Sequence, residues 1–148
     1  MEAPDHAPGC DFCGIAERRP ELLVTATNSW ALFHVDRLFP PGSLFLALRH
    51  HTLTPDAALW VEAAPLLAEG ARLLTELAAA ERVYLCSFGE VVPHFHILFL
   101  SRGAGLPARH AGKRAAALIE AIAAQGVAPD LEESKAWVAR YRAALRLR

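Results

Sequence analysis

The hydrophobic period of the chain changes near Pro55, and this change limits the possible folds more than any other feature. From Leu59 onward, apolar residues recur at every third or fourth position for about twenty residues, which predicts one long amphipathic helix. Thr54 is the expected N-cap, with Pro55 in the first turn. Gly70 lies inside this helix, where a glycine is destabilising by roughly 1 kcal/mol relative to alanine.

Short segments of β type flank the helix on both sides. They are rich in β-branched, aromatic and other apolar residues, as is typical of strands. The predicted strands cover residues 22–27, 29–35, 43–48, 82–87 and 93–101. Two further helices are predicted at about 111–125 and 131–147, with a break at Gly126 and Pro129. This order predicts an α+β fold with a five-stranded, mainly antiparallel sheet, one long helix between strands and C-terminal helices.

The composition fits a single domain that binds neither a nucleic-acid polymer nor a membrane. The chain has 148 residues, of which 53% are hydrophobic, enough for one sizeable core. Its 15 basic and 16 acidic residues are interspersed, so no basic block indicates a nucleic-acid partner. No uncharged apolar run reaches the length of about 18 residues that a membrane helix needs, and the polar N-terminus does not resemble a signal peptide. We therefore expect a cytoplasmic protein.

The three cysteines argue against a disulfide framework, because their number is odd and no export signal precedes them. Cys10 and Cys13 form a C-x-x-C pair near the start of the chain, whereas a thioredoxin-type pair lies at a strand-to-helix turn inside a βαβ unit. Metal binding is therefore favoured over redox chemistry. The alternative is two free thiols on a mobile tail.

Two histidines near the last predicted strand carry the clearest sign of chemistry. Side chains on a strand alternate between its faces, so His94 and His96 share one face with Leu98. Imidazoles with this spacing suit metal ligation or phosphate chemistry. Gly89 precedes them in a tight turn whose backbone N–H groups could meet a phosphate, and Arg102 follows the strand. His34, by contrast, is expected to pack rather than to react.

The segment 88–102 resembles the signature of the histidine triad (HIT) family, H-φ-H-φ-H-φ-φ with φ apolar. Two further blocks are similar to family patterns: C-x-F-C-x-I at residues 10–15, and residues 36–51, which resemble D-x-x-P-x-x-P-G-H-x-L-V-I-P-K-x-H. The three blocks occur in the family's order over residues 10–102. The resemblance implies one HIT-like domain over residues 1–148, with a flexible lead before residue 10 and a helical extension after residue 102. It also implies a homodimer formed through the long helix and a strand edge.

The resemblance further implies a role for each matching residue. His96 takes the position of the histidine that attacks the α-phosphorus of a nucleotide, with His94 beside it. The remaining residues implied to bind a purine nucleotide or dinucleotide form the base pocket, the ribose contact and the phosphate contacts: Phe33, Leu38, Asp36, Gly89, Glu90, Val91 and Arg102.

A structural zinc site is also implied. Cys10, Cys13, His51 and His94 resemble the C-C-H-H set that binds zinc in many bacterial members, and thiolate and imidazole ligands suit tetrahedral Zn²⁺. His50 is the alternative to His51 as the third ligand. His50 and His51 are adjacent, so the alignment with the family pattern could shift by one residue.

The chain departs from the family pattern at several positions. Leu98 replaces the third histidine, and leucine can donate neither a proton nor a hydrogen bond. A general acid typically contributes 10²–10⁴-fold in rate. Ser43 stands where a histidine is usual, Glu90 where glutamine or asparagine is common, and the loop 36–42 is one residue short.

Three hypotheses about function follow. The first is a hydrolase or nucleotidyl transferase that acts on dinucleoside polyphosphates or nucleoside phosphoramidates through a nucleotidyl-His96 intermediate. The second is a purine-nucleotide-binding protein with little or no turnover, because Leu98 replaces a catalytic histidine. The third is a zinc-stabilised scaffold that binds no nucleotide.

Overall fold

A computed structural model describes residues 7–36, 40, 42–103, 112–124 and 129–146. The elements in chain order are α1 (Ile15–Arg18), β1 (Leu23–Ala26), β2 (Trp30–His34), β3 (Leu44–Leu48), α2 (Ala57–Leu77), β4 (Arg82–Cys86), β5 (His96–Arg102), a 3-10 turn (Gly112–Arg114), α3 (Ala115–Ala124) and α4 (Leu131–Ala144). None of the helices in this part of the chain combines the length and the apolar composition needed to cross a membrane.

The five strands form one sheet in the order β1-β2-β3-β5-β4, and every neighbouring pair is antiparallel. The predicted α+β fold is therefore confirmed. β2, β3 and most of β5 are buried because both faces of the sheet are covered. Leu46 and Leu44 of β3 pair with Ile97 and Phe99 of β5, so β5 is an interior strand between β3 and β4.

Helix α2 covers one face of the sheet and differs from the prediction at its start. Asp56, not Thr54, is its N-cap, and the Asp56 carboxylate accepts a hydrogen bond of 2.9 Å from the N–H of Leu59. Gly70 is required by packing, because a Cβ atom there would lie 2.7 Å from the ring of Phe99. The glycine thus lets α2 approach β5 closely, and this packing offsets its low helix propensity.

The two faces of the sheet bury different sets of side chains. α2 and α4 cover the first face, where Trp30, Leu32, Leu44 and Tyr141 belong to the main core. The opposite face carries a cluster around Phe12 and a second cluster around Leu98, and Ala115 of α3 belongs to the latter. The second face, which we call the Phe12 face, holds the candidate site.

Helix α4 closes one edge of the sheet. Arg142 of α4 donates hydrogen bonds of 2.8 Å to the carbonyl oxygens of Leu23 and Pro20, beside the edge strand β1. The hydroxyl of Tyr141 donates to the carbonyl of Gly42 at 2.8 Å. Gly42 has a φ of +88°, and a Cβ there would collide with the Tyr141 hydroxyl. α4 therefore ties β1 and the loop before β3 together.

Candidate metal and nucleotide site

The loop that carries Cys10 and Cys13 is held in place by backbone contacts. Gly14 adopts the left-handed conformation, with a φ of +64°, and its N–H donates to the carbonyl of Arg49 at 3.4 Å. The guanidinium of Arg18 donates to the carbonyl oxygens of Cys13 at 3.0 Å and of Asp11 at 2.6 Å. The loop is therefore anchored to the end of β3 and turned towards the Phe12 face.

Cys10, Cys13, His51 and His94 come together in one cluster, and their ligand atoms all lie within 4.8 Å of one another. Cys10 Sγ is 3.3 Å from His94 Nδ1, and Cys13 Sγ is 3.5 Å from the same nitrogen. Cys13 Sγ is also 3.6 Å from His51 Nδ1. The structure thus brings together the four residues matched to the zinc set, and it brings His51 rather than His50.

These distances fit a tetrahedral metal ion. With bond lengths of about 2.0–2.3 Å, the edges of a regular tetrahedron of ligands are about 3.3–3.8 Å. The three sulfur-to-nitrogen distances, 3.3, 3.5 and 3.6 Å, lie within this range. Two sulfur and two nitrogen donors also form a common donor set for zinc. The donor set and these three distances therefore fit a tetrahedral metal ion.

His94 is oriented so that one nitrogen faces the cluster. Its side chain is 1% exposed, and its Nε2–H donates to the carbonyl of Leu48 at 2.7 Å. This bond fixes the tautomer and leaves the lone pair of Nδ1 for the cluster. Burial lowers the pKa of His94, the bond to Leu48 partly opposes this, and the nearby His51 and His96 lower it further. His94 is therefore neutral, as a metal ligand must be.

Cys13 is the more deeply buried of the two thiols in the cluster. Burial raises the pKa of the Cys13 thiol, while a hydrogen bond from the Ala7 N–H and the charge of Arg18 lower it. That N–H group lies 3.5 Å from Cys13 Sγ. The environment thus holds a protonated thiol in the free protein, which a bound cation would convert to a thiolate.

His96 lies at the start of β5, next to the cluster. Its Nδ1–H donates to the backbone carbonyl of His94 at 2.7 Å, so the lone pair belongs to Nε2. Burial lowers the pKa of His96, and the hydrogen bond to His94 partly opposes this. A neutral imidazole with a fixed tautomer and an available Nε2 lone pair is a competent nucleophile.

Aromatic rings hold the imidazole of His96 from two sides. The ring of Phe12 is stacked on it, with centroids 4.3 Å apart and an interplanar angle of 24°. The ring of Phe45 meets it edge-on at 5.6 Å. Sequence reasoning did not assign a role to Phe12, although its position between the two cysteines of the C-x-F-C motif is the signal that could have drawn attention to it.

The residues implied to bind the base and ribose have mixed surroundings. Phe33 is buried, and its ring is 5.9 Å from that of Phe12 and 5.6 Å from that of Phe45. The carboxylate of Asp36 accepts from Arg19 at 3.0 Å, so a ribose would have to compete with an ion pair. Leu38 lies outside the described residues.

The residues implied to bind phosphate lie in two parts of the structure. Gly89, Glu90 and Val91 lie in the loop between β4 and β5; Gly89 has a φ of +67°, and Val91 is 95% exposed. Arg102 lies at the far end of β5, six residues from His96, which corresponds to about 20 Å along a strand. Its guanidinium is 3.6 Å from the carboxylate of Glu81. The structure therefore places Arg102 away from His96.

Leu98 belongs to an apolar cluster and is not simply a missing histidine. It is 5% exposed and clusters with Val35, Leu100 and Ala115 of α3. The contact of Leu98 with Ala115 could not be predicted from the sequence, because the amphipathic pattern of a helix does not show which face of the sheet it covers.

Ser43, at another altered position, is buried, and its hydroxyl donates to the carbonyl of Pro40 at 2.9 Å, so a small hydroxyl fills that turn.

Comparison with known proteins identifies the fold. A Hit-like protein involved in cell-cycle regulation from Bartonella henselae has a TM-score of 0.68 at 15% identity, over 95% of this chain and 99% of that one. A zinc-bound histidine triad family protein from Mycobacterium smegmatis has a TM-score of 0.59 at 18% identity, over 93% and 98% of the two chains. Diadenosine triphosphate hydrolase from Plasmodium falciparum, solved with cyclomarin A, has a TM-score of 0.62 at 13% identity, over 96% and 88%.

These similarities show that the chain has the histidine triad fold, as the resemblance in the sequence predicted. The sequence matches no family model and no curated protein.

Proposed function

We propose that this protein binds a purine nucleotide on the Phe12 face and reacts with its α-phosphate through His96. The observation that carries the proposal is the state of His96: a neutral imidazole whose Nδ1–H is held by the carbonyl of His94 at 2.7 Å, with Nε2 left as the nucleophilic atom. The fold supports the same class of ligand, since a diadenosine triphosphate hydrolase shares it.

The reaction would proceed in two displacements. The lone pair of His96 Nε2 attacks the α-phosphorus, and the bond to the leaving group breaks with its electron pair on that group. The imidazole ring then carries a positive charge, which the carbonyl of His94 stabilises through Nδ1–H. Water next attacks the phosphorus, the P–N bond breaks and returns its electron pair to Nε2, and the water loses one proton to the solvent. The product is a nucleoside monophosphate.

Leu98 limits the classes of substrate that can react in this way. It cannot protonate a leaving group, and it lies in an apolar cluster with Val35 and Ala115. A nucleoside polyphosphate departs as a stable anion, whereas an amine must be protonated to depart. Of the two substrate classes, dinucleoside polyphosphates are therefore favoured over nucleoside phosphoramidates. The alternative is a nucleotide-binding protein in which Leu98 has removed useful turnover.

We also propose that the ion of the four-residue cluster is zinc with a structural role. Cys10, Cys13, His51 and His94 would hold it, and all four ligand positions would be filled by protein atoms, which is typical of structural zinc. Zinc would tie the N-terminal loop to the segment before β5. A reducing compartment such as the cytoplasm would keep both cysteines as free thiols.

A homodimer is the assembly that we propose. The exposed face of α2 is apolar, with Trp60 40% and Val61 75% exposed, and β4 is an edge strand with Leu85 exposed at its side. These features lie on the long helix and the strand edge that the resemblance implies for dimer contacts. Light scattering at several protein concentrations measures the assembly directly.

The test of the proposed reaction is intact-protein mass spectrometry after brief incubation with diadenosine tetraphosphate or adenosine 5′-phosphoramidate. We expect an acid-labile mass increase of one adenylyl group in a fraction of the protein that is larger with the tetraphosphate. We expect no such increase in His96→Gln.

A wild type without adduct or product, but with a Tm raised by AMP, would leave only the binding function. No change in Tm with AMP or GMP would favour a zinc-stabilised scaffold. Leu98→His should raise the rate with the phosphoramidate most.

A further inference from the structure

We infer that Phe12 is a positioning residue that couples metal occupancy of the Cys10, Cys13, His51 and His94 cluster to the orientation of the His96 imidazole. The consequence for catalysis rests on the proposed function, but the coupling itself can be measured without any substrate. The inference starts from the contact between the rings of Phe12 and His96.

Phe12 lies between the two cysteines of the cluster, and its side chain is 8% exposed. Its ring contacts both histidines near β5: it is stacked on His96 at 4.3 Å and lies 5.8 Å from His94. Cys10 and Cys13, which flank residues 11–12, both belong to the cluster. A bound ion would therefore fix the backbone of this segment at both ends. Phe12 therefore connects the metal-binding loop to His96 through a ring contact, in addition to the short chain segment that joins His96 to His94.

Without an ion, fewer contacts hold this loop. The thiols of Cys10 and Cys13 then make only weak sulfur hydrogen bonds with His94 and His51, and the loop keeps its backbone bonds from Arg18 and Gly14 and the apolar packing of Phe12. Metal bonds replace the weak contacts with fixed ones. We expect the Phe12 ring to lose its stacked position when the ion is removed, even if the sheet stays folded.

The stacked ring has a defined effect on His96. The bond from Nδ1–H to the carbonyl of His94 holds one point of the imidazole but permits the ring to rotate about that contact. Phe12 on one ring face, with Phe45 edge-on at 5.6 Å, fixes the ring plane and hence the direction of the Nε2 lone pair. Catalytic groups need orientation within about 10–20° of the productive geometry, so this restraint bears on the rate.

Phe33 offers a matched control. It is a buried phenylalanine of the same cluster and contacts the rings of Phe12 and Phe45. Its replacement by leucine removes the same volume from this face of the sheet as the replacement of Phe12. No ring contact between Phe33 and His96 occurs in the described part of the chain, so the two variants differ in the contact that matters.

The experiment is NMR of protein with ¹³C,¹⁵N-labelled histidine, loaded with Zn²⁺ and then treated with a chelator, with metal content measured on each sample. The ring protons of His96, assigned with His96→Gln, should lie upfield in the loaded wild type because the Phe12 ring shields them. They should move downfield on chelation and in loaded Phe12→Leu, but not in loaded Phe33→Leu. An unchanged His96 signal on chelation, or in Phe12→Leu, would overturn the inference, as would a protein that binds no Zn²⁺.

If the wild type forms the nucleotidyl adduct, a kinetic arm follows. Phe12→Leu should slow adduct formation by roughly 10- to 100-fold, because misplacement of a reacting atom has effects of this size. The Kd for AMP should change much less, and Phe12→Tyr, which keeps the stacked ring, should restore the rate. An equal loss of affinity and rate would make Phe12 a binding residue instead. A wild type without adduct would overturn the proposed reaction and leave the NMR result standing.

Discussion

Two buried histidines lie on opposite faces of the same sheet and have opposite surroundings. His94, on the Phe12 face, is 1% exposed, and its ring nitrogens face the carbonyl of Leu48 and the thiols of Cys10 and Cys13. His34, on the helix face, is 5% exposed, and neither of its ring nitrogens has a hydrogen-bond partner among the residues that the structure describes. Burial of an imidazole alone therefore does not indicate a functional site, whereas the partners of its two nitrogens do.

His34 behaves as an aromatic core residue. Its ring is parallel to the indole of Trp137, with an interplanar angle of 8° and centroids 6.4 Å apart. Burial lowers its pKa to about 4, although the charge of Asp36 opposes this shift. Two unsatisfied ring nitrogens destabilise the folded state, typically by about 1–3 kcal/mol for each lost partner.

The first prediction concerns His94 and the cluster to which it belongs, and it has the largest expected effect. Cys13→Ser should abolish stoichiometric zinc binding and lower the free energy of unfolding by about 4 kcal/mol at a free zinc concentration a thousandfold above Kd. Metal analysis and urea unfolding in a zinc buffer measure both quantities. Cys86→Ser is the control, since Cys86 lies on β4 outside the cluster. Equal loss of zinc in both variants would contradict the assignment.

The second prediction concerns the pH dependence that His34 contributes. Its pKa is lowered in the folded state, from 6.5 to about 4, so only the unfolded state binds a proton between these values. Stability is therefore full above pH 6.5 and falls as the pH drops towards 4, by about 3 kcal/mol in total. In the described part of the chain, the charged groups recorded beside this pair of rings are Asp36 and Arg140, which lies over the Trp137 ring.

His34→Leu isolates this contribution, because the rest of the chain is the same in both proteins. Chemical unfolding of wild type and variant at pH 7, 6, 5 and 4.5 should give curves whose difference grows as the pH falls. At pH 7 the variant should already be more stable by about 1 kcal/mol, because an apolar side chain leaves no unsatisfied nitrogen. If the free energies of unfolding of the two proteins instead changed in parallel with pH, the lowered pKa of His34 in the folded state would be contradicted.

The third prediction has the smallest effect and concerns Asp36. Arg19→Gln removes the ion pair in which Arg19 lies 3.0 Å from the Asp36 carboxylate, and both side chains are partly exposed. Stability should fall by less than about 1 kcal/mol, as for other partly exposed pairs. The pKa of His34 should rise slightly, because the carboxylate charge is no longer compensated. A His34 titration by NMR measures this shift, and an unchanged or lowered pKa would contradict the prediction.

The sequence predicted the five strands and the long helix, because each carries a local hydrophobic pattern, but β5 begins at His96 rather than at residue 93, so His94 precedes the strand. The sheet and α2 follow from such patterns, and the helix start was wrong by two residues because Thr54 and Asp56 are both good N-caps. Contacts between segments that are distant in the chain could not be predicted from such local patterns. The choice between His50 and His51 depends on how the chain leaves β3 after Leu48, and the contact of Phe12 with His96 joins residues that no local pattern relates.

The clamp that Arg142 makes on the carbonyls beside β1 has a consequence for association. An uncovered sheet edge can recruit another strand, and a molecule with two such edges can add partners without end and form fibres. Here Arg142 of α4 contacts the β1 edge, and β4 is the other edge. Because Arg142 occupies a carbonyl of β1 that an added strand would need, α4 disfavours strand addition at this edge and leaves β4 as the more open one.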